Sequence, residues 1–448
     1  MSDLLSIGSS GLAAYRSALN AIGENVSNAE TPGFSRRNVR LEQLSLTGNG
    51  EIGYREQVMF NGVRTAGVER AWDAFRATEA RLATSAAGRA GVREQWLTGV
   101  ETALGDGPAG IGSSLTRFFN GATSLAADPS DRLGRSSMLA ALEDVAVGFR
   151  NTADALARVS TGMKEAAGLD VNAVNSALRA LQDINGTIRT AGPGTSARAG
   201  LEDERDKLIG MIAERLDINV TTNGDGTVAI SAASDGSVKL LDGQGPGLIS
   251  LVPAADGRLS YQLSKDGTTA PLPTLAGKLA GLAETASSTA DRRSALDAMA
   301  ADFVSLVNTW SAGGTDANGN PGGNLLEAPT GAVSMRALVT DPDLVAAAGG
   351  GTANGNLAAL DGLRTSSGIE NRWGDLVSDN AQVLASAKAE ASAANSWRDL
   401  SRASLDGVTG VDLDYEAAEL LRFQQAYNAS ARIVQVARET IEALFNAL

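Results

Sequence analysis

Neither cysteine nor histidine occurs anywhere in the 448 residues. That excludes Ser-His-Asp and Cys-His nucleophiles, imidazole general bases, thiolate zinc sites, iron–sulfur clusters and disulfides. A chain without thiols also suits passage from a reducing interior to an oxidising exterior. Aromatic residues make up only 4 %, so small side chains are expected to supply much of the packing. Basic residues are outnumbered 38 to 52, for a net charge of −14. This argues against a nucleic-acid binder, which needs a positive surface that displaces counterions. No apolar run approaches the roughly 18 residues of a membrane span, so no membrane insertion is expected. Asp3 stands where a secretory leader would carry basic residues, and no cleaved signal peptide is expected.

Both ends of the chain carry a seven-residue rhythm. Leu5, Leu12, Leu19 and Val26 share one heptad position, with Tyr15 and Ile22 at the alternate one and small Ser and Ala residues around them. At the other end Leu413, Leu420, Tyr427, Val434, Ile441 and Leu448 repeat, with Phe423, Ser430, Ala437 and Leu444 between them. Glu416 interrupts this second seam, and Asp412 or Asp414 is placed to cap its helix. Two such helices can close their stripes on each other, yet each is too narrow in apolar area to fold alone. Between 28 and 37, Thr31-Pro32-Gly33-Phe34 reads as a type II turn, with positive φ at Gly33.

From about 68 to 216 the spacing is helical. Trp72, Phe75, Glu79 and Leu82 open a run that continues past Trp96 to Leu104. Ile111–Leu125 forms a second, with Leu115, Phe118 and Phe119 as core. A third begins near Asp128 or Ser130 and continues through Val159, a separate run covers Val171–Ile188, and Leu201–Leu216 follows the Gly192-Pro193-Gly194 break. At 217 the period changes to two. Short strands separated by Asn-Gly, Asp-Gly and Pro continue to about 273, and helix returns over 275–311 and 373–405. The expected fold is mainly α with a small β-rich insertion. It is an elongated multidomain chain of paired terminal coiled-coil helices, a helical-bundle middle and an antiparallel β outer part. The expected division is 1–40 with 408–448, 41–216 with 274–407, and 217–273.

Three features suggest chemistry and are weighed against it. Asp316, Asn318, Asn320 and Glu327 match part of a calcium loop, but Pro321 replaces the required glycine and no outgoing helix follows, so a solvated turn is the preferred reading. Gly277-Lys278 lacks the rest of a phosphate loop. The cluster Glu202, Asp203, Glu204, Arg205, Asp206 and Lys207 reads as a solvated, salt-bridged helix face. Catalytic residues, cofactors and metals are therefore expected to be absent. A carboxylate-dependent glycan hydrolase using Asp225, Asp235, Asp242 or Asp256 remains a distant alternative, as does a surface adhesin.

Ser10-Gly11-Leu12, Ala18-Leu19, Glu24-Asn25-Val26-Ser27-Asn28 and Thr31-Pro32-Gly33-Phe34-Ser35-Arg36 together resemble the N-terminal signature of bacterial flagellar axial proteins. Leu420-Leu421-Arg422-Phe423-Gln424-Gln425-Ala426-Tyr427 resembles the matching C-terminal signature, and Leu201–Leu208 a mid-chain segment of the hook-associated members. Rod and hook proteins, the nearest alternative, tend to carry Met-Ile and Gln-Arg-Ala-Tyr in the C-terminal motif. The resemblance implies a secreted structural subunit at the hook–filament junction, exported unfolded with a chaperone on its C-terminal segment. It implies a ring of identical copies between hook protein and hook-associated protein 3, with no chemical turnover. The residues expected to carry assembly are Leu12, Leu19, Ile22, Val26, Pro32, Gly33 and Phe34, with Leu420, Phe423, Tyr427, Val434, Ile441 and Leu444. Many members have a longer outer region, so an outer domain is expected to be reduced here.

Overall fold

The computed structural model describes residues 2–46 and 59–446. Helix α1 (Ser2–Ser27) leads through the turn into an antiparallel hairpin, β1 (Arg37–Leu46) and β2 (Met59–Arg70). Four helices follow: α2 (Ala74–Ala103), α3 (Ile111–Leu125), α4 (Arg132–Thr190) and α5 (Ser196–Arg215). The insertion consists of β3 (Ile218–Thr222), β4 (Val228–Ala232), β5 (Lys239–Asp242), β6 (Gly245–Pro246), β7 (Leu248–Pro253), β8 (Leu259–Lys265) and β9 (Thr268–Pro271). It forms two antiparallel meanders, β3-β4-β5-β6 and β7-β8-β9. Helices α6 (Gly277–Ala312), α7 (Gly355–Ser367), α8 (Ile369–Thr409) and α9 (Leu413–Phe445) complete the chain. The fold is mainly α, with small antiparallel sheets.

Two cores hold the body. In the first, the few aromatics are pooled rather than spread: Phe118, Phe119, Phe149, Phe303, Trp310 and Trp373 are buried together among aliphatics of α3, α4, α6, α7 and α8. Phe118 meets Phe303 edge-on, with centroids 5.7 Å apart, the arrangement favoured by ring quadrupoles. The second core joins the later half of α4 to α5, the first half of α6 and the insertion, through Leu178, Leu181, Ile212, Ile230, Leu240 and Leu282. Helices α2 and α8 extend from these cores as an antiparallel stalk. Its contact is alanine on alanine, Ala87 and Ala90 against Ala391 and Ala394, flanked by Arg89 and Arg93 pairing with Glu284 and Glu390.

Several expectations are corrected here. The stalk face of α2 consists of Ala77, Ala80, Ala83, Ala87 and Ala90, whereas Phe75 and Leu82 point outward. The close approach of α8 selects small residues, and a periodicity search that weights large hydrophobics reads the wrong stripe. Helix α4 runs unbroken for 59 residues, where two runs were expected. Its buried positions Leu156, Met163, Ala167, Val171 and Val174 keep the three-four step across the presumed gap. Gly162 is required there because a Cβ would stand 2.7 Å from the Trp96 ring. Asp131, rather than Asp128 or Ser130, caps α4 by accepting the N–H groups of Leu133 and Gly134, both at 3.0 Å. The β1–β2 hairpin falls in a stretch for which the sequence offered no element, inside the span expected to be helical bundle. Helix α7 likewise occupies a stretch, between 311 and 373, to which the sequence assigned no helix.

The insertion is pinned to α4 by two asparagines that imitate a β-bridge. Asn185 accepts from Val228 N–H and donates to its carbonyl, both at 2.9 Å. Asn175 does the same for Ile249, at 2.8 and 2.9 Å. All four groups are buried, so truncation leaves a backbone donor and acceptor unpaired. Asn185→Ala is expected to cost about 2–6 kcal/mol, from about 1–3 kcal/mol for each of the two orphaned groups, and to lower Tm in a calorimetric scan, whereas Asn223→Ala at the exposed turn should change it little.

The α5–β3 junction also carries a pH-dependent penalty. Asp217 lies between buried Leu216 and Ile218, and burial pushes its carboxyl above the ordinary 3.8. Because the folded value exceeds the unfolded one, stability is fullest below pH 3.8 and falls as pH rises through the folded value. Asp217→Asn should therefore melt higher than the parent at pH 7, with the difference vanishing at pH 3.

Candidate assembly interface

The N-terminal signature is a lock built around backbone. After α1, Phe34 N–H donates to the Thr31 carbonyl at 3.1 Å, and Gly33 has φ of 84°. With Pro32 in the preceding position, this is the expected type II turn. Asn25, buried on the last turn of α1, holds both backbone groups of Arg37 at 2.8 and 2.9 Å. It thus sets where β1 begins. Arg37 lies over the Phe34 ring and pairs with Glu24, which also accepts from Ser196 of α5 at 2.7 Å. Arg36 N–H donates to the Thr409 carbonyl at 2.7 Å, and its guanidinium stacks on Tyr415. One short segment therefore fastens the ends of α1, α8 and α9 to the start of α5.

The acidic-basic segment Leu201–Leu208 is the other half of this joint, and the expectation of a solvated face is corrected. Only Glu204 and Lys207 are solvated. Arg70, from the end of β2, is buried between Asp206 at 2.6 Å and Asp203 at 3.4 Å, with Trp72 beneath it. Arg205 donates to the Gly226 carbonyl at 2.8 Å and so ties the insertion to the same hub. Burial pushes the Asp203 carboxyl up, against the pull of Arg70, Ser35 and Arg37. The segment is a charged bolt joining hairpin, helix and insertion.

Helices α1 and α9 pack antiparallel, Tyr15 facing Phe423 with ring centroids 6.1 Å apart. From Leu420 to Ile441 the C-terminal seam lies where its spacing placed it, whereas Leu413, expected to open it, is 55 % exposed. Leu420, Phe423, Tyr427, Val434 and Ile441 are half-buried and Ser430 and Ala437 buried, while Glu416, read from the sequence as a break, is 2 % exposed. Asp412 caps α9, accepting from Asp414 and Tyr415 N–H at 2.9 and 3.1 Å. The α1 face is different from expectation. Its buried residues are Gly8, Gly11, Ala14, Ala18, Ala21, Ile22 and Asn25. Of the expected leucine row, Leu12 and Leu19 are half-buried at its flank and Val26 is 48 % exposed. Pro32 and Gly33 are exposed, and Phe34 is half-buried. Leu444 and Leu448 lie outside the residues whose side chains are described. The small face follows from distance: a Cβ on Gly8 would stand 2.7 Å from Val434, and one on Gly11 2.7 Å from the Ser430 hydroxyl.

A second apolar row on α9 escaped the sequence reading. Leu421 and Val436 are 60 and 57 % exposed on the side away from α1, while Ile433, 39 % exposed, lies at the flank of the seam beside Gly8. At 100° per residue, Leu421 and Val436 fall within about 60° of each other. Counting apolar residues outside the main heptad would have revealed them.

The sites weighed for chemistry are occupied by their own turns. Asp225, Asp235, Asp242 and Asp256 accept N–H groups from Thr227, Ser237, Gln244 and Arg258 at 2.8–3.0 Å. Tyr261 is buried, its hydroxyl donating to the Leu279 carbonyl at 2.9 Å, so it offers no sugar platform. Asp316 accepts from Asn318 and Asn320 N–H, both at 2.8 Å, and Glu327 pairs with Arg336. Among the described residues no cluster of His, Cys, Asp or Glu is arranged to hold a metal, and no helix is long and apolar enough to cross a membrane.

Residues 97–326, more than half of the chain, match the profile described as flagellar hook-associated protein FlgK helical domain. The chain belongs to the flagellar hook-associated protein FlgK family. Residues 5–34 match the flagella basal body rod protein profile, which covers the N-terminal signature shared across axial proteins. The family assignment therefore favours a hook-associated protein over a rod or hook protein, and the family is one of structural flagellar components. Flagellar hook-associated protein 1 of Bacillus subtilis is 27 % identical over 98 % of this chain and 96 % of its own length. The proteins of that name from Escherichia coli and Salmonella typhimurium are 27 and 26 % identical over 72 % of this chain. The match spans 59 % of the length of each. The flagellar hook junction protein FlgK of Burkholderia pseudomallei shares the fold over 55 % of this chain and 46 % of its own, with a TM-score of 0.51 at 22 % identity.

Proposed function

We propose that this hook-associated chain is a secreted structural subunit at the hook–filament junction of the bacterial flagellum, where it adapts one helical lattice to another without chemical turnover. The observation that carries this reading is the two-sided C-terminal helix. One face closes on α1, and the opposite face leaves Leu421 and Val436 in water. A lone molecule gains nothing from that second row, whereas burial against a neighbour contributes about 1.5–3 kcal/mol per side chain. Residues 1–40 with 408–448 would form the innermost unit of a ring of identical copies. Residues 41–216 with 274–407 would form the next shell, and 217–273 the outward part. Hook protein would lie on one side, hook-associated protein 3 on the other, and an export chaperone would hold the C-terminal segment before secretion. Leu12, Leu19, Ile22, Val26, Pro32, Gly33, Phe34, Leu420, Phe423, Tyr427, Val434, Ile441 and Leu444 are the assembly residues in this scheme.

The test is Val434→Asp with Ile441→Asp. Both residues belong to the α1–α9 seam and touch neither body core, so the purified variant should keep the parent's main melting transition while filaments no longer attach to hooks. Normal filament attachment would refute the role.

A further inference from the structure

A basic cleft on the stalk lies apart from the terminal helices. It has a volume of about 470 Å3 between α2, the end of α5, the start of α6 and α8. Its floor is the small-residue stretch Ala87, Gly88 and Gly91. A Cβ on Gly88 would run into the Glu214 carbonyl, whereas nothing stands within 4 Å of one on Gly91. The helices are thus pinched together at one end of the cleft and open at the other. Three cations line the walls: Lys278, Arg398 and Arg402. Lys278 is neutralised by Glu214 at 2.7 Å, and Glu214 also pairs with Arg215. Among the described residues Arg398 pairs with its neighbour Asp399, on the solvent side, at 2.9 Å. Arg402, one helical turn beyond Arg398, makes no ion pair among the described residues. The cleft thus sets three cations against Glu214, with Arg402 exposed at its mouth, in a chain that carries 14 more acids than bases.

We propose that this cleft is a socket for a carboxylate side chain of a second copy of the chain, received by Arg402 with Arg398 beside it. The inference rests on the assembly reading and deepens it, by placing a charge-dependent contact between copies at the stalk in addition to the apolar contact between terminal helices. Charge complementarity selects the occupant, since each copy carries 52 Asp and Glu against 38 Lys and Arg. The guanidinium fork favours a bidentate carboxylate.

The absence of native cysteine makes the test direct. Gly91→Cys puts a unique thiol on the open floor without removing a cation. In the free subunit this thiol should react readily with a maleimide. In assembled flagella it should react at least tenfold more slowly, and a short thiol-to-carboxyl cross-linker should join two copies. Arg398→Glu with Arg402→Glu should leave the melting curve unchanged and reduce incorporation at least tenfold, and lysine at both positions should restore it. Normal incorporation of the charge-reversed variant, full maleimide reactivity after assembly, or cross-linking to a different protein would each overturn the socket. Failure of the unmodified chain to enter flagella would instead overturn the assembly reading.

Discussion

Leu421→Asp with Val436→Asp is expected to abolish incorporation into flagella while leaving the isolated subunit indistinguishable from the parent in melting temperature and helix content. Both side chains are more than half exposed and lie on the face of α9 away from α1, so nothing inside one molecule depends on them. In an assembly each would be buried. Losing two aliphatic contacts removes about 3–6 kcal/mol per interface, and introduced carboxylates would add the cost of burying charge. Even the lower figure exceeds a hundredfold in affinity. Exported subunits would then collect in the medium, where an immunoblot can count them. If the variant assembled normally, the second row would be surface decoration.

Gly11→Leu acts on the opposite face. Its Cβ would stand 2.7 Å from the Ser430 hydroxyl oxygen and 3.3 Å from Ser430 Cβ, and the remaining atoms of a leucine would have no room. Overpacking typically costs about 1–3 kcal/mol, comparable to what a narrow seam of small residues can supply. Helices α1 and α9 should therefore separate, while the body cores, which contain no α1 or α9 residue, keep their melting transition. Hydrogen exchange over 413–445 should speed up by at least tenfold, and assembly should fail. Ala13→Leu, on the exposed side of α1, should change neither. A Gly11→Leu subunit with parental exchange in α9 would mean that the helices do not rely on close approach.

What could be read in the sequence follows from where the physics is local. The turn at Thr31–Phe34 was legible because proline and glycine restrict the backbone by themselves. The seam of α9 was legible because large residues recur every seven positions. The partner faces on α1 and α2 were not, because they are made of glycine and alanine, whose role is to admit a neighbour rather than to avoid water. Long-range polar pairing was equally hidden. Asn25, Asn175 and Asn185 read as ordinary helix residues until the strand that each holds is known. Arg70 and Asp203 look like surface charges until β2 is laid against α5. The Phe118–Phe119 core was visible in its local run, but its partners Phe303 and Trp373 lie some 180 to 250 residues away.

Hydrogen exchange compared between the free subunit and intact flagella bears most directly on the whole account. Amides of residues 1–40 and 405–448, held in dilute solution by the α1–α9 seam, should exchange faster there than those of α3. They should become at least a hundredfold slower once neighbours cover them, while α3 and the first half of α4 stay slow in both. Terminal amides as slow as those of α3 in a solitary subunit would contradict it, since the paired ends would then be complete without any neighbour.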